Sequence, residues 1–587
     1  MSERKKQSLL TGAGILAIAT VVVKLIGAIY KIPLTNLIGA EGYGYFTGAY
    51  AVYTPLYAIS MAGLPVAVAA LVSQNVETGR IKDAQRIFAI SKKLFLGIGL
   101  VCTLLLVAVA YPYSRLVGAA DNYISIIVIA PCVLFCCLMS AYRGYYEGLN
   151  NMTPTGVSQV VEAVFKLVIG LAGAYLFMTK ALGYYRENAA DGVLEFFGKT
   201  VTDESTALSA LYPYAAAVAI FGVTAGSMAS WIYLFILYKR KGAGYSREEL
   251  VNSPEAKSSR ELTGKLLRIA IPVAASSVIL NLTNIIDDFT IRARLNFALA
   301  ENGEIIKNMY ADALSASQTL ESGISTYLYG VHGAVINIKN LIPTITLTLG
   351  ISAIPVISKA WAIKDMKGIR VSTESAMRVA MIIALPAGFG IAALSEPILE
   401  LLYSSRAEIV PVAAPLLRTY GFAMFLFAIA SPLTNILQAL GNTKAPIISI
   451  LAGAAAKLVY NYIVIAKPEI NIRGAAGASV LCYVIMAGLN LIQLLHCTHI
   501  RLDYVSVFLK PFVAAVACGG TAWGVFKLLT GSIGISSKLS CLISIACGAT
   551  VYAIVLLIIK GIVKDDLEML PKGEKIEKIL AKFKLLG

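Results

Sequence analysis

Apolar stretches of 18 or more residues recur from one end of this 587-residue chain to the other. Each is long enough to cross a hydrocarbon core of about 30 Å. Lipid offers no partner for a free backbone amide or carbonyl, and the stretches are continuously apolar rather than alternating, so each reads as a helix. Fourteen spans are expected, at roughly 8–29, 43–72, 88–110, 122–142, 155–178, 208–238, 266–291, 323–357, 373–394, 411–440, 446–466, 474–495, 511–529 and 539–560. Charged residues make up 14% of the chain, against about 25% in ordinary soluble domains, and no polar linker divides it as a soluble chain of this length would require. The fold class is therefore an all-α polytopic membrane protein of about 14 transmembrane helices. The opening MSERKK before an apolar run resembles a signal peptide, but Lys24 and the lack of an Ala-x-Ala-like site favour a retained helix.

The chain repeats itself. Residues 148–168 (GLNNMTPTGVSQVVEAVFKLV) and 440–459 (LGNTKAPIISILAGAAAKLV) each run from a Gly-Asn or Leu-Asn turn through a proline to one lysine before Leu-Val. Pro154 and Pro446 are 292 apart, Lys166 and Lys457 are 291 apart, and Pro112 and Pro397 are 285 apart. Spans 1–6 and 7–12 thus form two six-helix lobes. Six is even, so both lobes start on the same side, giving a parallel pseudo-twofold repeat of the kind found in one class of transporters, with two C-terminal helices outside it. The expected organisation is an N-lobe at 1–238, a cytoplasmic inter-lobe loop at 239–265, a C-lobe at 266–500, spans 13–14 at 501–562 and a basic amphipathic cytoplasmic tail at 563–587. In that tail Ile576, Ile579, Leu580 and Phe583 share one face, flanked by lysines, as in an inner-leaflet surface helix.

Lys and Arg concentrate in the loops that are cytoplasmic when the N-terminus is cytoplasmic, which places both termini on that side of the plasma membrane. The net charge of +16 is then chiefly a topology signal with some attraction to anionic lipid, and implies no nucleic-acid partner. The external loop 179–207 holds Gly198-Lys199-Thr200, but Val193 stands where a phosphate loop needs its first glycine. Eight of nine cysteines sit inside spans as small hydrophobes. His496-Cys497-Thr498-His499 lacks a fourth donor and reads as a helix end rather than a metal site.

Charges inside spans carry the functional argument, because a lysine at mid-membrane costs ~2.5–3.5 kcal/mol on insertion scales. The bases noted are Lys24, Lys166, Lys339, Arg418, Lys457 and Lys527; the acids are Glu162, Asp287 and Asp288. Lys527 lies near a span end and snorkels. Lys166 lies roughly 16 Å into its span by helical rise, with Glu162 one turn before it at a spacing suited to an internal salt bridge. Pairing and exposure to a polar cavity both remain open for Lys166, whereas Lys457 has no acid at that spacing. Lys24 and Lys31 share a face of the first span, His332 precedes Lys339 by two turns, and Asp287 and Asp288 stand beside Arg292. Lys24, Lys31, Lys166, Lys339, Lys457 and Arg292 are the candidate lining of a substrate cavity, and Asp287, Asp288 and Glu162 the candidates for a coupling ion or charge pairs. The excess of bases suits an anionic substrate and argues against an exporter of cationic drugs. No nucleotide loop, metal spacing or nucleophile–base pair is present, so the chain is expected to be no enzyme. It is expected to need no cofactor or nucleotide, and to run on Na⁺ or H⁺, the membrane potential or the substrate gradient.

K24-L-I-G-A-I-Y-K-I-P, L37-I-G-A-E-G-Y-G-Y-F, M61-A-G-L-P-V-A-V-A-A-L-V-S and Y142-R-G-Y-Y-E-G-L-N-N-M-T-P-T-G-V-S-Q-V-V-E together resemble the polysaccharide-transporter branch of the MOP superfamily. The similarity is to the stage V sporulation protein B and MurJ-like lipid II flippases of Gram-positive bacteria. The resemblance implies spans 1, 2, 7 and 8 around a central cavity of alternating access. It implies a monomeric flippase that moves a polyprenyl-pyrophosphate-linked sugar (lipid II or a polysaccharide repeat unit) from inner to outer leaflet, in peptidoglycan, capsule or spore synthesis. In that family arginines stand where this chain has Lys24 and Lys166, and its acid in span 7 falls on Asp287. The alternative is an ion-coupled multidrug antiporter of the same superfamily. A membrane glycosyltransferase would need an external acid/base cluster, and 179–207 contains no histidine.

Overall fold

The computed structural model describes residues 9–188, 194–242, 244, 245, 247–442, 444–564 and 566. Among them, eleven helical stretches are long and apolar enough to cross a membrane, and the chain is a multi-pass membrane protein. The first stretch, Gly14–Glu77, takes in the first two expected spans. Those expected at 266–291 and 323–357 are helical as well but are not among the eleven. The chain forms two compact units, residues 1–296 with 317–330 and residues 297–316 with 331–587.

In the first unit, α1 (Leu9–Ala58) bends at Gly39, whose φ of 68° is open to glycine and strained for a side chain. A π-turn at Ile59–Gly63 leads into α2 (Leu64–Glu77), after Pro55 has removed one backbone donor from the helix. Helices α3 (Ile81–Leu116), α4 (Asn122–Gly148), α5 (Thr153–Asn188) and α6 (Glu204–Lys241) follow. Packing is most extensive between α5 and α6 and between α3 and α4, and α1 lies against α4, α5 and α6. Between α5 and α6, β1 (Leu194–Phe196) pairs antiparallel with β2 (Lys199–Val201). Of the Gly-Lys-Thr in this loop, Gly198 closes the hairpin turn with Phe197, both at positive φ, while Lys199 and Thr200 lie in β2 and Lys199 pairs with Asp121 at 2.6 Å. Asp203 caps α6, and the Thr206 amide and hydroxyl hold its carboxyl below the usual range. After the short α7 (Arg247–Val251), helix α8 (Ser259–Met309) belongs to this unit as far as Asn296.

The second unit begins with the end of α8 and with α9 (Ala311–Ala316). The expected eighth span is two helices, α10 (Ile324–Lys339) and α11 (Leu341–Ala362), broken at Asn340. Then come α12 (Met366–Ala393), α13 (Ser395–Leu402), α14 (Val410–Ala439), α15 (Lys444–Val464), α16 (Gly474–Thr498), α17 (Lys510–Gly531) and α18 (Ser537–Ile558). His499 ends α16 in the left-handed conformation, so the His-Cys-Thr-His run is a helix terminus. The last two helices pack on α12: Met381, Leu385, Ala514, Cys518, Tyr552 and Leu556 form one buried cluster, and the Tyr552 hydroxyl donates to the Ile382 carbonyl at 2.8 Å. Of the expected tail, 563, 564 and 566 lie within the described residues and the amphipathic stretch lies outside them. Asp566 is buried and accepts from Arg378 Nη1 and Ser375 Oγ, both at 2.8 Å. Burial pushes its carboxyl up while Arg378 pulls it down. Arg378 is thus a further buried base within the ninth span.

Candidate functional site

A cavity of about 240 Å³ opens in the first unit, lined by Lys24, Tyr30, Tyr57, Arg143, Glu162 and Lys166 among others. Helical periodicity brings these together. Lys24, Gly27 and Tyr30 follow one face of α1, and Gln159, Glu162 and Lys166 follow one face of α5. The wall behind them is fixed by a close helix crossing: a Cβ at Gly222 of α6 would lie 2.4 Å from the Gly170 amide of α5. Such small-residue crossings are how membrane helices pack where apolar burial gives no driving force. Tyr30 is wedged beside that crossing, fully buried, its hydroxyl donating to the Ala219 carbonyl at 2.9 Å.

Glu162 and Lys166 do not form the internal pair that their spacing allows. Glu162 Oε2 accepts from Arg143 Nη2 at 3.1 Å, and Ser227 Oγ donates to Oε1 at 3.4 Å. Arg143 also donates from Nε to Ser158 Oγ at 2.9 Å. The reason is geometric. The flat guanidinium offers several donors in a fork and engages the carboxylate and a hydroxyl at once, which an ammonium does not. Arg143 lies just beyond the expected fourth span, 122–142, but α4 continues to Gly148 and keeps it buried. The sequence signal for it is its place in the Y142-R-G-Y-Y motif. Lys166 instead lies over two rings, its Nζ 5.2 Å from the Tyr30 centroid and 5.3 Å from the Tyr50 centroid, contacts worth roughly 0.5–2 kcal/mol each. No ion pair of Lys24 occurs among the described residues. Three bases (Lys24, Arg143, Lys166) against one acid (Glu162) leave the cavity two positive charges in excess.

The other candidates of this unit fall in two places. Lys31 is half-buried, 6.0 Å from the same Tyr50 ring. Asp288 and Arg292, both fully buried, pair at 3.0 Å one turn apart on α8. The Tyr113 hydroxyl donates to the second oxygen of Asp288. Arg292 Nη2 donates to the Gly44 carbonyl at 2.8 Å, and its guanidinium lies 4.0 Å from the Tyr329 ring. Asp287 is half-buried beside them.

In the second unit Lys339 is buried, its Nζ 5.1 Å from the Tyr420 ring and 5.7 Å from Tyr483. His332 Nε2 and the Tyr420 hydroxyl are hydrogen-bonded at 2.7 Å. Lys457 is half-buried on α15, and its charge and that of Lys339 both bear on His332. Arg418 and Lys527 are exposed on α14 and α17, with Lys527 over the Trp523 ring at 5.3 Å.

Residues 9–187 match the family described as polysaccharide biosynthesis protein, and residues 322–463 match the MatE family. Stage V sporulation protein B of Bacillus subtilis (strain 168) is 25% identical over 578 residues, covering 96% of this chain and 98% of that protein. The lipid II flippase MurJ of the same organism is 24% identical over 481 residues, covering 80% of this chain and 79% of that protein. Among solved structures, lipid II flippase MurJ in an inward closed conformation superposes with a TM-score of 0.62 at 15% identity, covering 93% of this chain and 98% of that one. An inward-facing multidrug resistance MATE family transporter of the MOP superfamily gives 0.61 at 15% identity, covering 83% and 98%. The resemblance read from the motifs therefore holds, and the fold is the one these MOP superfamily transporters share.

Proposed function

We propose that the protein is a flippase for a polyprenyl-pyrophosphate-linked sugar, carrying the polar head from the inner to the outer leaflet while the polyprenyl tail stays in lipid. The observation that carries the reading is the positive excess of the first-unit cavity: Lys24 and Lys166 stand in it without the carboxylate that Arg143 has taken. Moving a pyrophosphate through hydrocarbon alone is prohibitive. Cations waiting in a confined, water-poor cavity replace its hydration with charge-assisted hydrogen bonds. The similarity to a lipid II flippase along most of the chain supports this substrate class. The excess charge has the wrong sign for a cationic drug. Lys24, Lys31 and Lys166 are the phosphate-binding cations in this reading. No bond is made or broken, so the cycle needs no catalytic residue and no nucleotide, and an ion gradient supplies the bias. The chain acts as a monomer in the plasma membrane, with both termini cytoplasmic and the 194–201 hairpin outside.

Complementation tests the reading. The protein is expressed in cells depleted of their lipid II flippase, and separately in cells lacking a capsule-unit flippase. Rescue of either strain supports it and identifies the sugar. Rescue of neither, with a gain of cationic-dye efflux, overturns it in favour of the antiporter.

A further inference from the structure

Three acids of the first unit's helices are placed by their surroundings. Asp288 is saturated by Arg292 and Tyr113, Glu162 by Arg143 and Ser227, and Asp287 stands at the half-buried edge of the Asp288 cluster. Glu41 is different. It lies two residues past the kink of α1 at Gly39, it is 2% exposed, and its Oε1 is buried with no hydrogen-bond partner among the described residues. The segment that covers it, 321–330, is pressed against α1 backbone to backbone. A Cβ at Gly323 would lie 2.8 Å from Glu41 Oε1, one at Gly330 would lie 1.7 Å from the Ala40 carbonyl oxygen, and one at Gly44 would lie 2.2 Å from the Thr326 carbonyl oxygen.

The charges around Glu41 do not neutralise it. Lys199 of β2 and Asp121 ahead of α4 both bear on it, but they are bonded to each other at 2.6 Å and are partly exposed. Tyr45 stands one turn further along α1 and is hydrogen-bonded to Thr326 of α10, with Arg292 of α8 acting on Tyr45. Tyr212 of α6 packs against neighbouring Gly42, and Glu321 of the covering segment is exposed. A carboxyl buried without a bonded cation takes up a proton rather than hold its charge.

We propose that Glu41 is a proton-binding site whose protonation seals the 321–330 segment onto the kink of α1, and whose ionisation releases it. This deepens the transport reading by making H⁺ the coupling ion. The sign follows from linkage: the sealed form binds one proton more than the released form, so the seal is favoured at low pH and lost as pH rises.

Hydrogen–deuterium exchange of the full-length protein in lipid nanodiscs, without substrate, tests it over pH 5–9 after correction for intrinsic exchange. In the wild type, protection of 321–330 should fall by about tenfold per pH unit above a single midpoint, the slope of one linked proton. Glu41→Gln, which mimics the protonated acid, should stay protected throughout, and Glu41→Asp should keep the dependence with a moved midpoint. A pH-independent wild type overturns the assignment, and so does a Glu41→Gln profile that matches wild type. Control of protection by Na⁺ at fixed pH also overturns it. If Glu41→Gln aggregates, Glu41→Asp decides alone, and an unmoved midpoint sinks the site. Because no substrate is present, a protein that rescues no flippase-depleted strain yet shows the proton-dependent seal leaves this assignment standing.

Discussion

The Asp288–Arg292 cluster and the Lys24–Lys166 cavity belong to the same unit, and both place cations inside membrane-spanning helices. In the first, the guanidinium is fully spent. It holds a carboxylate, a backbone carbonyl and a ring face, and nothing of it reaches solvent. In the second, the one carboxylate is taken by Arg143, Lys166 rests on two tyrosine rings, and Lys24 faces the open cavity. Presence of a charge in a span therefore does not mark a site. What marks it is a charge left over after the surrounding acids, carbonyls and rings have been assigned.

This contrast can be broken most directly at Asp288. Asp288→Ala leaves Arg292 buried without its carboxylate, and removing one partner of a buried pair costs about 3–5 kcal/mol. Thermal unfolding of the detergent-purified protein should show a large fall in midpoint or loss of the monodisperse fraction. A variant as stable as wild type would show that the cluster is no structural knot.

The cavity should behave in the opposite way. Lys24→Ala should fold normally and lose about tenfold or more in transport, the size of one charge-assisted hydrogen bond, while Lys24→Arg stays active. Exchanging the signs of Lys24 and Asp287 should leave transport dead. A working exchange would make Lys24 a charge clamp rather than a phosphate ligand, and measuring leaflet transfer in proteoliposomes decides between them.

Pairing inside the cavity sharpens the comparison further. Glu162→Gln should cost about 1–3 kcal/mol by leaving Arg143 with an uncompensated buried charge. Adding Arg143→Met should recover most of that stability, whereas adding Lys166→Gln should not. Recovery by the lysine change instead would restore the one-turn pair on α5. The smallest effect belongs to exposed Lys527, where Lys527→Gln should leave stability within about 0.5 kcal/mol and transport unchanged. A clear transport defect there would extend the functional charge beyond the cavity.

How much of this was legible follows from the range of each signal. A helix long enough to cross a membrane is a local property, so the apolar runs, the repeat carried by Lys166 and Lys457, and the surplus of basic residues all stand in the linear chain. The motifs around Lys24, Gly39, Pro65 and Arg143 were legible as a resemblance. The partner of a charge is not local. Glu162 and Lys166 are four apart on one helix, yet the carboxylate bonds Arg143 nineteen residues away, on another helix, because α4 and α5 bring its fork within reach. That base lies past the apolar run that marks the fourth span, in the part of α4 that only the structure shows to be helical.

Arg292 shows the same division. The sequence makes it a candidate cavity cation beside two acids, whereas in the structure it is held by Asp288 and by the Gly44 carbonyl 248 residues distant, and it does not line the first-unit cavity. Glu41 is the extreme case. Nothing in A40-E-G-Y distinguishes it from a loop acid, and its isolation comes from segment 321–330, distant in sequence, lying against it. The sequence by itself determined that the chain is built of apolar helices able to cross a membrane, and the sign of the charge they carry. Which cations are spent and which remain for a ligand was decided by tertiary structure, because Coulomb and hydrogen-bond partners are set by distance in space and by the water that packing excludes.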